Sequence, residues 1–468
     1  MKNKLQRNFT ALASTGMFLL IIISSGVNAQ IDTALASQLQ QILNNRVQVN
    51  GNHGVSACLI MPNGAVWKGT AGVGQGSVAI TDSTVFHGAS ITKANIAALL
   101  LLLAEDGLLN LDSSWHKYVS FLNVSFDTTI TVRQLLNHTS GIADYLEASG
   151  SGSHVTNDFN HAFAPVEILE NIVGGVPDFA PGTNFNYSTS NYVLAALIAE
   201  AVTGNPVQQE LRTRIWGPLG MNHTYFGGFE NYTEQRSGVW WNFGSGLKNY
   251  SDNAETSMLT FGYGGANIVS TPEDLAVFAK ALLTDTLLTQ ASMIQMQSIS
   301  PFSYASWCAG YGLGIHHAYT FANDSTLGHD GYYTNLSDMF HSFDYGFTLV
   351  TMTNTSTQWF AIFDQMYSAI RNYVTTGIHE RHQPSSIIIS PNPANDFITI
   401  ENNVPFWNKE FYTIEFYNQL GKKALSTNRE LSFRTQAKID VSALPVGVYA
   451  VEIKSANFKE IKKLIIAK

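Results

Sequence analysis

The stretch Phe86-His-Gly-Ala-Ser-Ile-Thr-Lys93 runs into Ala94-Asn-Ile-Ala-Ala-Leu-Leu-Leu-Leu-Leu-Ala-Glu-Asp106, and Gly107 ends the run. The second part is rich in helix formers, and glycine is a natural helix terminator. Ser90 and Lys93 therefore stand at the start of an apolar helix. Positions i and i+3 share a helix face, so the lysine amine can reach the serine hydroxyl. A serine hydroxyl is a weak nucleophile until a neighbour takes its proton. Lysine can be that neighbour when burial and nearby positive charge disfavour its ammonium form. The positive end of the helix dipole also favours an oxyanion developing near Ser90. Ser-x-x-Lys occurs three times, as Ser90/Lys93, Ser114/Lys117 and Ser245/Lys248. Only the first opens a strong apolar helix; the others lie in loop-like surroundings. Context, not the pattern, selects Ser90.

The 468 residues are 45% hydrophobic and 13% charged, which suits two or three globular domains and excludes a mainly disordered chain. Residues 1–29 carry three basic groups and no acid, 30–383 carry 12 basic and 27 acidic groups, and 384–468 carry 11 and 8. An acidic body argues against a nucleic-acid partner. Met1-Lys-Asn-Lys-Leu-Gln-Arg7, then Phe18-Leu-Leu-Ile-Ile-Ile23 and Val27-Asn-Ala29, reads as a signal peptide over 1–29. The apolar run is short for a membrane span, so no transmembrane segment is expected after cleavage. Cys58 and Cys308 are the two cysteines. A secreted setting permits a disulfide between them, and two buried free thiols fit equally.

Along the chain, Ile31 to Val49 has helical spacing of Leu35, Leu39, Ile42 and Leu43. Val55–Met61, Pro62-Asn-Gly64 and Ala65–Ala71 read as a hairpin. Thr131–Gly141 reads as a short helix capped by glycine, and Ser149-Gly-Ser-Gly-Ser153 as a loop on a cleft rim. Phe179–Thr189 is a turn and extended segment that brings Tyr187 to the mouth of a helix over Ser190–Val202. Trp216–Met221 reads as a loop. Thr271-Pro-Glu-Asp-Leu275 is a helix start with Thr271 as N-cap. Tyr311–Ile315 and Thr348–Met352 are strand-like. Strands at both ends with helices between predict an α/β (α+β) body, an antiparallel sheet flanked by helices. From Ser385 onward short alternating runs between turn signals predict a small all-β sandwich.

Taken in order, Ser90 and Lys93, Leu135-Leu-Asn-His-Thr-Ser-Gly141, Tyr187, Pro218-Leu-Gly-Met221, Ser270-Thr-Pro-Glu-Asp-Leu275 and Gly328-His-Asp-Gly331 form a set. The set resembles the serine β-lactamase and penicillin-binding-protein superfamily, in the branch of class C enzymes, D,D-peptidases and related esterases. The resemblance implies a helical lobe beside the sheet, with the site between them. It implies that Ser90 is acylated and that Lys93 and Tyr187 share the proton traffic. His329, where relatives carry Lys or His on the edge strand, would help protonation or hold a substrate carboxylate. Gly331 would keep that strand slim so that an acyl group lies along it. The backbone N–H groups of Ser90 and Tyr332 would form the oxyanion hole. His138 reads as structural, its ring satisfying loop backbone groups. Relatives usually have Tyr-x-Asn, whereas this chain has Tyr187-Ser188-Thr189, and threonine offers a single hydroxyl at that substrate-binding position. Asn191 would face another side of the helix, and Asn335 stands where relatives often have glycine.

Three patterns are set aside. Ser251-Asp-Asn253 matches a class A element but lies in a loop with no Lys-Thr-Gly after it. Tyr333-Thr-Asn335 falls just past the third motif. His379-Glu-Arg-His382 is one residue short of the spacing that puts two zinc ligands on one helix face. No metal and no cofactor is implied.

The tail, through Pro391-Asn-Pro-Ala-Asn-Asp-Phe397, Leu444-Pro-Val-Gly-Val-Tyr449 and Lys462-Lys-Leu-Ile-Ile-Ala-Lys468, resembles the C-terminal sorting domain of the type IX secretion system. A carbohydrate- or wall-binding β-module is the alternative. The sorting reading makes the secretion machinery a partner and implies export through the periplasm to the cell surface or medium. The expected division is 1–29 signal peptide, 30–383 hydrolase body and 384–468 sorting domain. The expected activity is serine hydrolysis of an amide or ester through an acyl-enzyme, on a β-lactam, a D-Ala-type peptide or a small ester. A catalytically silent binding protein on the same scaffold is the alternative.

Overall fold

The computed structural model describes residues 30–50, 53–148, 151–172, 176–244, 246–284, 286–303, 308–318, 324–356, 361–376, 387–402, 410–431, 436–455 and 459–468. The signal segment and the His379–His382 pattern lie outside these residues.

A seven-stranded sheet organises the body, in the order Val66–Gly72, Gly54–Ile60, Thr348–Thr353, Asn335–Ser342, Thr326–Tyr333, His316–Ala318, Cys308–Tyr311. Every neighbouring pair is antiparallel. The first hairpin turns at Gly64, whose φ of +84° suits glycine, and Asn63 Oδ1 accepts from the Ala65 N–H at 3.0 Å. Side chains alternate across the sheet as the period of two requires. Val55, Ala57, Leu59, Phe340 and Leu349 face one apolar cluster, with Leu35, Leu39 and Leu43 of the helix Thr33–Asn50 and Phe363, Met366 and Ile370 of the helix Ala361–Thr376. Cys58, Ile60, Met339, Val350 and Met352 face the opposite cluster, with the helix Pro272–Leu283 and the helical lobe. Thr271 caps that helix as expected, accepting from the Asp274 N–H.

The Ser90 helix, Ile91–Glu105, threads the lobe with 12 of its 15 residues buried, so it has no solvent face. Its polar side chains are paired: Asn95 Nδ2 donates to the Ile91 carbonyl at 3.1 Å, and Trp216 Nε1 donates to Asn95 Oδ1 at 3.0 Å. Gly107 ends it at φ +73°. The helix Ser190–Thr203 packs beside it and ends at Gly204, also left-handed. Cys58 and Cys308 are both buried, Cys308 Sγ donates to the Ser303 carbonyl at 3.6 Å, and burial pushes the Cys58 thiol up to about 12.

Four local expectations are corrected. Residues 151–157 are helical, not loop; Val155 is buried, and Gly152 fits against the Phe243 carbonyl, which a Cβ would meet at 2.6 Å. Gly217–Leu219 continues a helical run from Val207 and stops at Gly220. The short helix Val132–Leu136 has a Thr131/Gln134 capping box but leaves the helix at Asn137, and His138, not glycine, takes φ +59°. The strand expected over Tyr311–Ile315 ends at Tyr311. A turn at Gly312–Ile315 follows, because Gly314 lies against the Ser90 helix, where a Cβ would stand 2.6 Å from Ala97 Cβ.

In the tail, Ile387–Ser390, Phe397–Asn402 and Gln436–Asp440 form one antiparallel sheet. Lys423–Leu431, Glu410–Tyr417, Gly447–Lys454 and Lys459–Ile466 form another. Both face one cluster that includes Ile398, Ile400, Ile414, Phe416, Val451 and Leu464. This is the expected small all-β sandwich. Among the described residues no helix is long and apolar enough to cross a membrane.

Candidate active site

The strand Phe86–Ala89 pairs with Ile268–Ser270 and delivers Ser90 to the start of its helix. Ala89 is held at φ +47°, an unfavourable region for a residue with a Cβ. Thr92 fixes this turn: its Oγ1 donates to the Ala89 carbonyl at 2.7 Å and accepts from the Ile268 N–H at 3.0 Å. Ser90 is the N-cap residue, yet its side chain makes no capping hydrogen bond. The residue is half-buried.

Lys93 is completely buried. Its Nζ lies 3.2 Å from Ser90 Oγ, 3.4 Å from Thr189 Oγ1 and 2.8 Å from the Gly265 carbonyl. Burial brings its pKa down to about 7, against the opposing pull of Asp144 and Asp330. Tyr187 is half-buried, with its ring centroid 4.7 Å from Lys93 Nζ. Its phenol hydrogen-bonds the Ser90 side chain, and burial holds it well above the usual phenol range. Ser90, Lys93, Tyr187 and Thr189 thus form one cluster.

His329 stands outside the contact set. It is 1% exposed, and its ring centroid is 6.3 Å from that of Tyr187. Nδ1 faces the Asp330 carbonyl, which only accepts, so the proton sits on Nδ1. The Tyr311 hydroxyl is 2.9 Å from Nε2. Burial, then the neighbouring His316, hold the ring well below the usual histidine range. A neutral imidazole carries no charge of its own for a substrate carboxylate. Its strand is also third from the sheet edge, not the edge itself, because His316–Ala318 and Cys308–Tyr311 lie outside it, with pairing at Gly328↔His316.

Gly331 lies against the turn that carries Ser90. A Cβ there would lie 2.3 Å from Ser337 Oγ, 2.6 Å from the Gly88 carbonyl and 2.8 Å from Ala89 Cβ. The missing side chain makes room for the turn that carries Ser90. This approach sets the Gly331–Tyr332 backbone beside the Ala89–Ser90 turn. The Tyr332 side chain is 49% exposed and rests on Trp241, ring centroids 4.8 Å apart.

His138 plays the expected supporting part. Its Nδ1 accepts from the Ser188 N–H at 3.1 Å, and its ring lies 4.3 Å from that of Tyr187. Asn191 faces His138 and Ser140 rather than Lys93. Asn335 is buried as a brace, accepting from the His87 N–H and donating to the Gly238 carbonyl. Ser251 accepts from the Val239 N–H in a turn, and Thr334, inside Tyr333-Thr-Asn335, is a hairpin turn at φ +61°. His316, His329 and Asp330 are close enough to share a cation, but their donors are taken up: His316 Nε2 meets Asp330 Oδ1 at 2.6 Å and Nδ1 meets the His317 carbonyl.

Two participants were not anticipated. The Gly265 carbonyl holds the lysine amine, and Asp144 Oδ2 accepts from Thr189 Oγ1 at 3.3 Å. Asp144 was the more findable: it is a lone carboxylate in the apolar run Ile142-Ala-Asp-Tyr-Leu146.

Comparison with known proteins gives this cluster a lineage. Residues 389–467 match the secretion system C-terminal sorting domain, which marks the chain for secretion or the cell surface. Protein flp of Staphylococcus aureus is 31% identical over 204 residues, 42% of this chain and 38% of flp, so the chain spans about two fifths of that relative's length. Among solved structures, a D-stereospecific amidohydrolase from Streptomyces sp. superposes with a TM-score of 0.62 at 26% identity, covering 74% of this chain and 99% of that one. A D-amino acid amidase from Ochrobactrum anthropi SV3 gives 0.64 at 26% identity, covering 73% and 100%. Residues 39–369, which carry the sheet, the lobe and the Ser90 cluster between them, match the Beta-lactamase family, and the chain belongs to it.

Proposed function

We propose that this protein is an exported serine hydrolase that cleaves an amide or ester through an acyl-enzyme at Ser90. The observation that carries the reading is the fully buried Lys93 amine, 3.2 Å from the Ser90 hydroxyl, with a pKa brought down to about 7. At neutral pH a large share of that amine is uncharged and has a lone pair for the Ser90 proton. Ser90 Oγ attacks the substrate carbonyl carbon as its proton passes to Lys93. The carbonyl oxygen gathers negative charge, and the Ser90 and Tyr332 N–H groups are the donors proposed to receive it. Collapse of the adduct breaks the bond to the leaving nitrogen or oxygen. Tyr187, whose phenol burial keeps protonated, hands a proton to that atom and recovers one from Lys93. Water then attacks the acyl-Ser90 ester, with the same groups working in reverse.

D-amino-acid amides are the first substrate class to test, since a D-amino acid amidase and a D-stereospecific amidohydrolase align over nearly their whole length. Intact-mass measurement after treatment with a labelled penicillin or a fluorophosphonate tests the chemistry. One adduct, on Ser90 and missing from Ser90→Ala, is expected. Wild-type protein left unmodified by both reagents would mean a binding protein instead.

Tyr187→Phe separates the proton donor from the base. An amide nitrogen leaves only when protonated, whereas p-nitrophenolate needs no acid. The variant is expected to lose about 10²-fold or more on an amide and much less on a p-nitrophenyl ester. Equal losses on both would remove Tyr187 from the donor role.

We also propose that 1–29 is removed on export through the periplasm, and that 30–383 and 384–468 fold as separate units. A chain covering 30–383 alone is then expected to retain full hydrolytic activity, and loss of that activity with loss of folding would refute the division.

A further inference from the structure

Lys93 Nζ has three polar neighbours: Ser90 Oγ, the Gly265 carbonyl and Thr189 Oγ1. A neutral amine has two N–H bonds and one lone pair. The Gly265 carbonyl only accepts, so it takes one N–H. The lone pair can face the Ser90 proton only if the second N–H goes to Thr189. That in turn requires the single Thr189 proton to point elsewhere. Asp144 Oδ2, 3.3 Å away, is where it goes, and a carboxylate cannot reverse the direction. Asp144 is itself fixed. Its Oδ1 accepts from the Leu146 N–H at 3.1 Å. Both of its chain neighbours are tied to Ser190, the residue after Thr189: Ser190 Oγ accepts from the Tyr145 N–H at 3.2 Å and donates to the Ala143 carbonyl at 2.7 Å.

We propose that Asp144, acting through the Thr189 hydroxyl, is the positioning residue that aims the Lys93 lone pair at Ser90. This rests on the acyl-enzyme reading above. Burial raises the Asp144 carboxyl to about 6, so it is mainly ionised at and above neutral pH. The charge bearing on Lys93 comes from Asp144 and, across the site, from Asp330. Glu147 is the other acid bearing on Asp144. His138 and His329 are kept neutral, and Tyr187 and Tyr192 protonated, by burial. Asp144→Asn keeps an acceptor oxygen for Thr189 and removes one of the two negative charges that favour the ammonium form. Thr189→Val keeps the shape and removes the relay.

The test is the pre-steady-state burst of p-nitrophenol from p-nitrophenyl acetate against pH, on the full chain, with the Ser90 acyl adduct followed by mass. In Asp144→Asn the acid limb of the acylation rate is expected to move about one pH unit lower, the scale of one removed neighbouring charge. In Thr189→Val and in Asp144→Ala the plateau is expected to fall about tenfold, the scale of one hydrogen bond to the base. The double variant is expected to fall no further than either, and Thr189→Ser, which restores the hydroxyl, to recover most of the plateau that Thr189→Val loses. If Ser90 is acylated in all variants with unmoved limbs and plateaus, Asp144 does not position Lys93, while the hydrolase reading stands. If wild-type Ser90 is never acylated, both fail.

Discussion

Replacing Lys93 by methionine is expected to lower kcat/KM by about 10³-fold or more on any substrate while leaving a folded protein. The size follows from the amine's role, since a positioned general base contributes about 10²–10⁴-fold. The fold should hold because methionine has nearly the same length and belongs among the buried Ile91, Ala94 and Ala97 of its helix. The Gly265 carbonyl loses its donor, at a cost of about 1–3 kcal/mol, and removal of a buried amine works in the opposite direction. The pH profile gives the sign. Burial lowers the Lys93 pKa, so below about 7 the amine carries a third proton and cannot accept one from Ser90. Wild-type activity is therefore expected to rise with pH through about 7 and level off above it. The residual activity of Lys93→Met should show no such limb. A wild-type profile flat from pH 5 to 9, or a variant that keeps the limb, would assign the base elsewhere.

The ease of reading Ser90 and Lys93 from the chain has a simple cause. Two residues three positions apart on one helical turn have their spacing set by local geometry, so the pattern already implies the distance. Gly107, Thr271 and Gly204 were legible for the same reason, each being a local choice of helix end. Asp144, Thr189 and Gly265 meet Lys93 across 51, 96 and 172 positions of chain. No local rule brings them together; the packing of the Ser190 helix beside the Ser90 helix does. The same limit explains the Gly/Ser-rich helix at 151–157, where close contact with Phe243 overrides a weak helix propensity. At His138 a left-handed turn replaces the expected glycine cap. The ring and carbonyl of that residue are held from outside, by the N–H groups of Ser188 and Asn186.

Gly331 is where sequence and structure give different reasons for one residue, and Gly331→Ala tells them apart. If the glycine clears space for substrate, the added methyl should raise KM for bulky acyl groups, spare small ones and leave stability alone. The contacts point elsewhere. The methyl would meet Ser337 Oγ at 2.3 Å, the Gly88 carbonyl at 2.6 Å and Ala89 Cβ at 2.8 Å. Ser337 can rotate, although it then gives up its hydrogen bond to the Gly88 carbonyl. Gly88 and Ala89 cannot yield so easily. Ala89 already sits at φ +47°, and a Cβ on Gly88 would itself meet Ile268 Cγ1 at 2.7 Å, so that side of the turn is filled. Relief must come from a shift of the turn, and Ser90 moves with it. Overpacking of this kind costs about 1–3 kcal/mol. A displacement of about 1 Å at the nucleophile can cost about 10²-fold in rate. The expected result is a lower melting temperature together with a similar loss of kcat on small and bulky substrates alike. Adding Ser337→Ala removes only the shortest contact and should restore part of the stability but little of the rate, because the backbone oxygen and Ala89 still oppose the methyl. A Gly331→Ala protein with unchanged melting temperature and a defect confined to bulky acyl groups would return the glycine to the substrate.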